Sequence, residues 1–383
     1  MATQSTERFE TVIVGGGQAG LATGYHLAKR GASFVILDAG QRIGDPWRKR
    51  WDSLRLYSPA SYDGLPGMRF PARRASFPTT REMADYLESY AAHFELPVRA
   101  STAVETLTKD RDRYVVTAGA QTFEADSVVV ATGVMQKPVV PTFAPELDPR
   151  ITQLHSSDYR NLSQLQEGPV LVVGASHSGA DIAYEAAADH ETILSGRDTG
   201  QIPASVETRR GRLGFRGLFF VGSHVLTVDT PLGRKMRPHV RHGGAPLLRY
   251  RRKDLLAVGV DRVLARTVGV QDGLPVLDDG RVLDVRNVIW CTGFRPDYTW
   301  IKAPLELGED GYPVQYRGVV DSAPGLYFVG MLFLHSFTSM LIAGASRDAE
   351  RVAKHLAVRS SERRLRAAST APVAALAEKQ AAS

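Results

Sequence analysis

Hydrophobic residues in this chain come in short β-branched runs, each followed by glycines and then by a helical pattern. Thr11–Val14 is the first, an uncharged run suited to a strand buried on both faces, and Leu21–Arg30 reads as the helix after it. Phe34–Leu37 is the next strand, closed by Asp38. A stretch of 28 residues follows, Gly40–Gly67, rich in Gly, Pro and aromatics (Trp47, Trp51, Tyr57, Tyr62) and long for a mere connection. Thr79 and Glu82 then predict a capping box ahead of a helix with Met83, Tyr86, Leu87 and Tyr90 at 3–4 spacing. Val98, Ala103–Leu107, Tyr114–Ala118 and Phe123–Glu124 predict a small antiparallel sheet, and Ser127–Ala131 another buried strand.

Beyond a cluster of prolines the opening pattern returns. Val170–Val173 is an apolar strand, Gly174–Gly179 a turn, Ala180–Ala188 a helix and Thr192–Leu194 a strand. Asp254–Val258 predicts a helix, Val263–Val270 a strand, and Val276–Val282 a hairpin turning at Asp279-Gly280. Val285–Trp290 and Gly325–Gly330 are the last buried strands, and Thr338–Leu356 reads as a helix. The expected fold is α/β: two Rossmann-like dinucleotide-binding domains of the three-layer ββα type, the first discontinuous. Its parts are 1–148 and 285–358, around a second domain at 149–284 with an insertion near 200–260; a disordered or loosely helical tail is expected at 359–383.

The turns carry the chemistry. Gly15, Gly17 and Gly20 have G-x-G-x-x-G spacing between strand and helix, and Asp38 ends the following strand. Glycines there let the backbone approach a pyrophosphate, the helix N-terminus favours its charge, and the acid can accept from a ribose hydroxyl. In the second copy Gly174, Ser176, Ser178 and Gly179 hold the turn, with serine in the middle position, and the strand ends at Arg197 in place of an acid. An arginine there suits a 2′-phosphate. FAD is therefore expected in the first site and NADPH in the second. Two strands end alike, in Thr132-Gly133 and in Thr292-Gly293.

Composition narrows the outcome. Cys291 is the one cysteine in 383 residues, which excludes a CxxC relay and a cysteine-rich metal site and suits a reducing cytoplasm; no metal is expected. The first ten residues are polar and no run approaches the ~18 apolar residues of a membrane span, so a cytoplasmic protein is expected. The net charge of +6 is uneven: twelve Lys/Arg face two acids between Glu207 and Lys253. That segment reads as a channel mouth for an anionic cofactor, a peripheral membrane patch at 213–228, or a solvated basic face, the last being favoured. Alternating aromatic and basic residues are lacking, so no nucleic acid is expected.

The chain resembles the class B flavin-containing monooxygenases, in their bacterial branch, over residues 8–357. The carriers are VIVGGGQAGLATGYHL, WRKRWDSLRLYSPASYDGLPG, VVVATG, LHSSDYR, VVGASHSGADIA and VIWCTGFRPDYTWI. The resemblance implies an NADPH-dependent FAD monooxygenase working through a C4a-hydroperoxyflavin, with dioxygen and a small soft nucleophile such as an amine or sulfide as substrates. It implies no acid–base triad. Of the family fingerprint F-x-G-x-x-x-H-x-x-x-Y/F, His155 and Tyr159 match the second half, while Pro149 and Ile151 replace the first two residues. That departure keeps an NADPH:acceptor oxidoreductase (quinone or protein acceptor) as the alternative, and a redox-sensing module as a third class. By the same resemblance Gly15, Gly17, Gly20 and Asp38 hold the adenosine diphosphate of FAD, Trp47, Asp52 and Ser53 lie along the flavin or its ribityl chain, and Val104 meets the adenine. Thr132-Gly133 and Thr292-Gly293 are the crossings between domains; Gly174, Ser176, Ser178, Gly179 and Arg197 hold NADPH. Tyr57, Ser58, His335 and Ser339 are expected to touch substrate, with His335 either a proton donor or a packed histidine.

Overall fold

The computed structural model describes residues 6–381, with side chains described as far as Arg366. The first part contains β1 (Thr6–Val14), α1 (Gln18–Ala28), β2 (Phe34–Leu37), α2 (Asp45–Arg48), α3 (Thr80–His93), β3 (Val98–Arg99), β4 (Thr106–Asp110), β5 (Arg113–Ala118) and β6 (Gln121–Val130). They form a sheet in the order β3-β2-β1-β6-β5-β4. β3, β2, β1 and β6 are parallel, whereas β5 and β4 fold back antiparallel. The capping box ahead of α3 is present: Thr79 Oγ1 accepts from Glu82 N at 3.2 Å, and Glu82 accepts from Thr79 N at 2.7 Å.

β6 is one ten-residue strand in place of the two expected at Phe123–Glu124 and Ser127–Ala131. Its first half alternates, with Phe123 and Ala125 buried and the residues between them facing outward; its last four residues are buried on both faces. The strand passes from a one-sided to a two-sided environment, and Asp126 on the outer face is held by Arg363 at 3.2 Å.

The second part contains β7 (Lys137–Pro138), β8 (Thr152–His155), β9 (Val170–Val173), α4 (His177–Ala186), β10 (Thr192–Ser195), α5 (Arg209–His224), α6 (Pro231–His242), α7 (Arg252–Ala257), β11 (Asp261–Val263), β12 (Thr267–Gln271), β13 (Leu274–Leu277), β14 (Asn287–Trp290) and β15 (Phe294–Arg295). β11-β10-β9-β14-β8 is an all-parallel sheet, and β12 pairs β13 as a separate ribbon. The single strand expected over Val263–Val270 is thus two, shared between that sheet and that ribbon. Val276 does bridge Val282 around Asp279-Gly280, but the main partner of β13 is β12. The insertion folds into α5 and α6.

The chain then returns. β16 (Leu326–Phe328) pairs with Val128–Val130 of β6, completing the first sheet from nearly 200 residues away. α8 (Ile342–Ala381) lays Ala345, Ala349, Val352 and Leu356 into the core that includes Leu21 and Leu27 of α1. It begins later than the expected Thr338, because Phe337–Met340 is a tight 3-10 turn with Ser339 Oγ accepting from the amides of His335 and Ser336. It also runs on past Leu356 into the expected tail as far as Ala381. There Arg359 donates to Pro324 O at 3.1 Å and Arg364 to Glu10 at 2.6 Å, holding a stretch without an apolar pattern.

Candidate functional site: two glycine turns and the ribbon between them

α1 and α4 each begin three residues before the sequence pattern suggested, so each glycine turn is itself the first helical turn. At the end of β1, Gly15 has φ +111°, and a Cβ there would lie 2.6 Å from Ala131 O. A Cβ on Gly20 would overlap Gly15 O, so only glycine lets α1 close on β1. Gly17, the N-cap of α1, is different: nothing lies within 4 Å of its Cβ direction, no side chain caps the helix, and the first turn holds no acid. The free amides and the dipole end of α1 therefore face open space, a cradle that fits a diphosphate. Asp38 Oδ2 accepts from Gly16 N at 2.6 Å and Oδ1 from Gly40 N at 2.8 Å. The carboxylate is held rigid by the loop, and each oxygen retains a lone pair for a ribose hydroxyl. Val104 is half-buried against the core behind this sheet.

The second turn repeats the construction. Gly174 has φ +105°, its Cβ direction is blocked by Cys291 O, and a Cβ on Gly179 would overlap Gly174 O. Ser176, in the middle position, is the N-cap of α4 but does not cap it: its Oγ donates to Ala245 O at 2.9 Å. The hydroxyl is turned aside, and the first amides of α4, beside the half-buried Ser178, stay free of a side-chain cap. Arg197 follows β10 on the surface, and its guanidinium makes one long contact, 3.5 Å to His242 O. It is available for a phosphate. Both sets of residues fit the dinucleotides expected of them.

The two threonine-glycine ends enter one antiparallel ribbon from its opposite ends, Phe294 standing against Pro138 and Arg295 against Lys137. β7 and β15 pair antiparallel, Val139 N donates to Gly293 O at 3.0 Å, and Thr292 Oγ1 donates to Val139 O. Gln136 Nε2 ties Thr132 Oγ1 and Gly133 O at 2.8 and 2.7 Å. His155 completes the ribbon: its Nε2 lies 3.1 Å from Gly293 O, its Nδ1 2.9 Å from Ser157 Oγ, and its edge meets Phe294. Burial lowers its pKa, so it is a neutral hydrogen-bonding post at pH 7. Tyr159 is fully buried, its pKa raised by burial and by Glu185. Of the two replaced fingerprint positions, Pro149 is exposed and Ile151 fills the core under the second sheet.

The residues expected along the flavin divide. Trp47 packs on the core around α1 and α3. Asp52 and Ser53 also contact the second domain: Asn161 Nδ2 donates to Asp52 Oδ2 at 2.7 Å, and Ser53 Oγ to Glu185 of α4 at 2.5 Å. The four expected substrate contacts fall into two groups. Tyr57 OH donates to Asp181 Oδ2 on α4 at 2.9 Å, and its ring lies 4.7 Å from that of His177. Ser58 donates to Asp63, whose carboxyl is pushed up to about 7 by burial. His335 and Ser339 sit before α8, with His335 Nδ1 3.9 Å from Asp229. Burial, then Arg351 and Arg317, push the His335 imidazole down to about 4, so it is uncharged at neutral pH.

Sequence reasoning missed the residue that joins the domains here. Arg249, 7% exposed, donates to Asp181 Oδ2 at 3.1 Å, to Glu207 at 2.9 Å, and to Arg55 O and Leu56 O at 3.0 Å each. It lay in the basic segment read as a solvated face; no local pattern separates it from its exposed neighbours.

Residues 12–207 match the family model described as pyridine nucleotide-disulphide oxidoreductase. A CzcO-like oxidoreductase of Geobacillus kaustophilus is 39% identical over 342 residues, covering 89% of this chain and 96% of that protein. The Arabidopsis thaliana protein named "probable indole-3-pyruvate monooxygenase YUCCA3" is 28% identical over 92% of this chain and 87% of its own length. A flavin-containing monooxygenase from Stenotrophomonas maltophilia superposes with TM-score 0.73 at 25% identity, covering 92% of this chain and 99% of that one. With its paired glycine turns, two parallel sheets and connecting ribbon, the chain belongs to the pyridine nucleotide-disulphide oxidoreductase family.

Proposed function

We propose that the chain is an NADPH-dependent FAD monooxygenase that oxygenates a small soft nucleophile, an amine or a sulfide, with dioxygen as co-substrate. The observation that carries this reading is the pair of cradles: one turn backed by an acid, the other followed by a surface arginine held by one long contact, joined by one ribbon. Bound FAD and NADPH supply hydride transfer and oxygen activation. The chain's own residues bind and orient. α1 and α4 present free amides to the two diphosphates, Arg197 takes the 2′-phosphate, and His155 fixes the ribbon. Cys291 is the single cysteine, and burial raises its thiol pKa, so the disulphide chemistry in the family's description has no dithiol here. The names of the Arabidopsis and Stenotrophomonas relatives support oxygenation.

Ile151, buried where the fingerprint has glycine, favours a second reading, an NADPH:acceptor oxidoreductase with a quinone or protein acceptor. One experiment separates the two. With isotopically labelled dioxygen, NADPH and a panel of amines and sulfides, the label is expected in the product. Full recovery of consumed oxygen as hydrogen peroxide across the panel, with fast acceptor-dependent NADPH oxidation under nitrogen, overturns the first reading. Among the described residues no helix is long and apolar enough to cross a membrane. We assign the protein to the cytoplasm, on its lone unpaired cysteine.

A further inference from the structure

The basic insertion is not the evenly solvated face that its composition suggested. α5 and α6 are preformed helices, their N-termini capped by Thr208 (3.0 Å to Gly211 N) and Thr230 (3.1 Å to Gly233 N). One face of α5 is anchored. Phe215 and Phe219 pack on Tyr62 with ring centroids 5.1 and 4.8 Å away, and Gly222 closes on Phe337. On the opposite face, among the described residues, Leu213 is 71% exposed and Phe220 61%; Val221 and Leu218 are exposed on the flanks of the helix, and Leu232 at the start of α6. Leu213, Gly217, Phe220 and His224 recur at helical spacing as one stripe about 16 Å long. Arg209, Arg210 and Arg216 are exposed along it, as are Arg234 and Lys235 on α6.

We propose that this outward face docks on an anionic lipid bilayer. Leu213 and Phe220 enter the boundary between headgroups and acyl chains, and the arginines meet lipid phosphates, the arrangement of an interfacial amphipathic helix. Charge selects this occupant. A second copy related by two-fold symmetry sets the same arginines against one another. A nucleic acid would meet the arginines but offer its charged backbone to Leu213 and Phe220, leaving that exposed apolar surface unburied. The inner face of α5 carries Ser223, bonded to Thr338 and Arg347. Docking therefore brings lipid within one helix diameter, about 10 Å, of the residues leading into α8.

The test is co-sedimentation of the FAD-loaded full-length protein with vesicles of phosphatidylglycerol and phosphatidylcholine, against vesicles of phosphatidylcholine alone. The protein is expected to sediment with the first and release with added salt, and to bind the second at least about tenfold more weakly. The double variants Leu213→Asp/Phe220→Asp and Arg209→Glu/Arg210→Glu should each lose at least about tenfold in vesicle binding while keeping FAD and the NADPH oxidation rate in solution. Absence of binding to the anionic vesicles, or unchanged binding by the Leu213→Asp/Phe220→Asp protein, overturns the proposal. So does a dimer in light scattering that this variant dissociates, or duplex DNA binding that depends on the arginines and not on the apolar pair.

Discussion

Glycine identity at single positions has unequal consequences in the two turns. Gly20→Ala places a methyl on Gly15 O, so α1 cannot seat; the variant is expected to be insoluble or free of FAD, measured as yield and bound-flavin absorbance. Gly17→Ala meets no protein atom, so it should fold normally yet hold FAD more weakly, because the methyl enters the space meant for the diphosphate. Equal behaviour of the two would mean that Gly17 does not border the ligand. Arg197 gives the matching prediction in the second turn. Removing one charge-assisted phosphate contact costs about 1.5–3 kcal/mol, so Arg197→Ala should raise the KM for NADPH by roughly 10- to 150-fold and leave NADH nearly unchanged. The turn residues were legible in the sequence because their spacing is local. The orientation of Ser176 was not: whether its hydroxyl caps α4 or turns aside depends on Ala245, almost 70 residues on.

Among the elements, the contact of α4 with the Arg55–Tyr57 segment depends on Arg249. Asp181, 6% exposed, has its carboxyl pushed up to about 6 by burial despite Arg249. A folded-state pKa above the ordinary 3.8 means that keeping this group charged costs stability as pH rises from about 4 through 6. Arg249→Met removes the compensating cation and should cost roughly 3–5 kcal/mol above pH 6, shrinking as Asp181 is protonated in acid. In the Asp181→Asn background the same substitution should cost much less. Thermal unfolding at pH 5 and pH 8 checks both statements. Element existence was readable wherever burial is two-sided, as in β2 and β9, which match their expected bounds. It was less readable in β6, where a change of burial along one strand mimicked a break, and in α5 and α6, whose outward apolar residues contradict the periodicity of a helix covering a core.

For the whole molecule, two ligands that bind only the folded chain should each raise the melting temperature. NADP⁺ at a hundredfold excess over its Kd adds about 2.7 kcal/mol to the FAD-loaded protein, and stripping FAD should lower its unfolding midpoint further than withdrawing NADP⁺ does. Addition of NAD⁺ at the same concentration should shift the wild-type midpoint less, and Arg197→Ala should abolish the difference. From the sequence, the chain from 285 to 358 is expected to return to the first part; β16 and α8 do return, whereas β14 joins the second sheet between β9 and β8. The partners of these strands were not visible, because strand neighbours are set by topology.

β16 settles onto the last three residues of β6 only after the intervening domain has been made. A ribosome delivers Val128–Val130 almost 200 residues before Leu326–Phe328, so during synthesis the most apolar end of the first sheet waits with an open edge. The second domain, whose parallel sheet is continuous in the chain from β8 to β14, can complete itself in that interval. A nascent chain arrested near residue 320 should therefore hold a finished second domain and an adhesive, half-closed first one. Its solubility should depend on chaperones in a way that the full-length protein's does not, measurable by comparing the two in a cell-free translation with and without added chaperone.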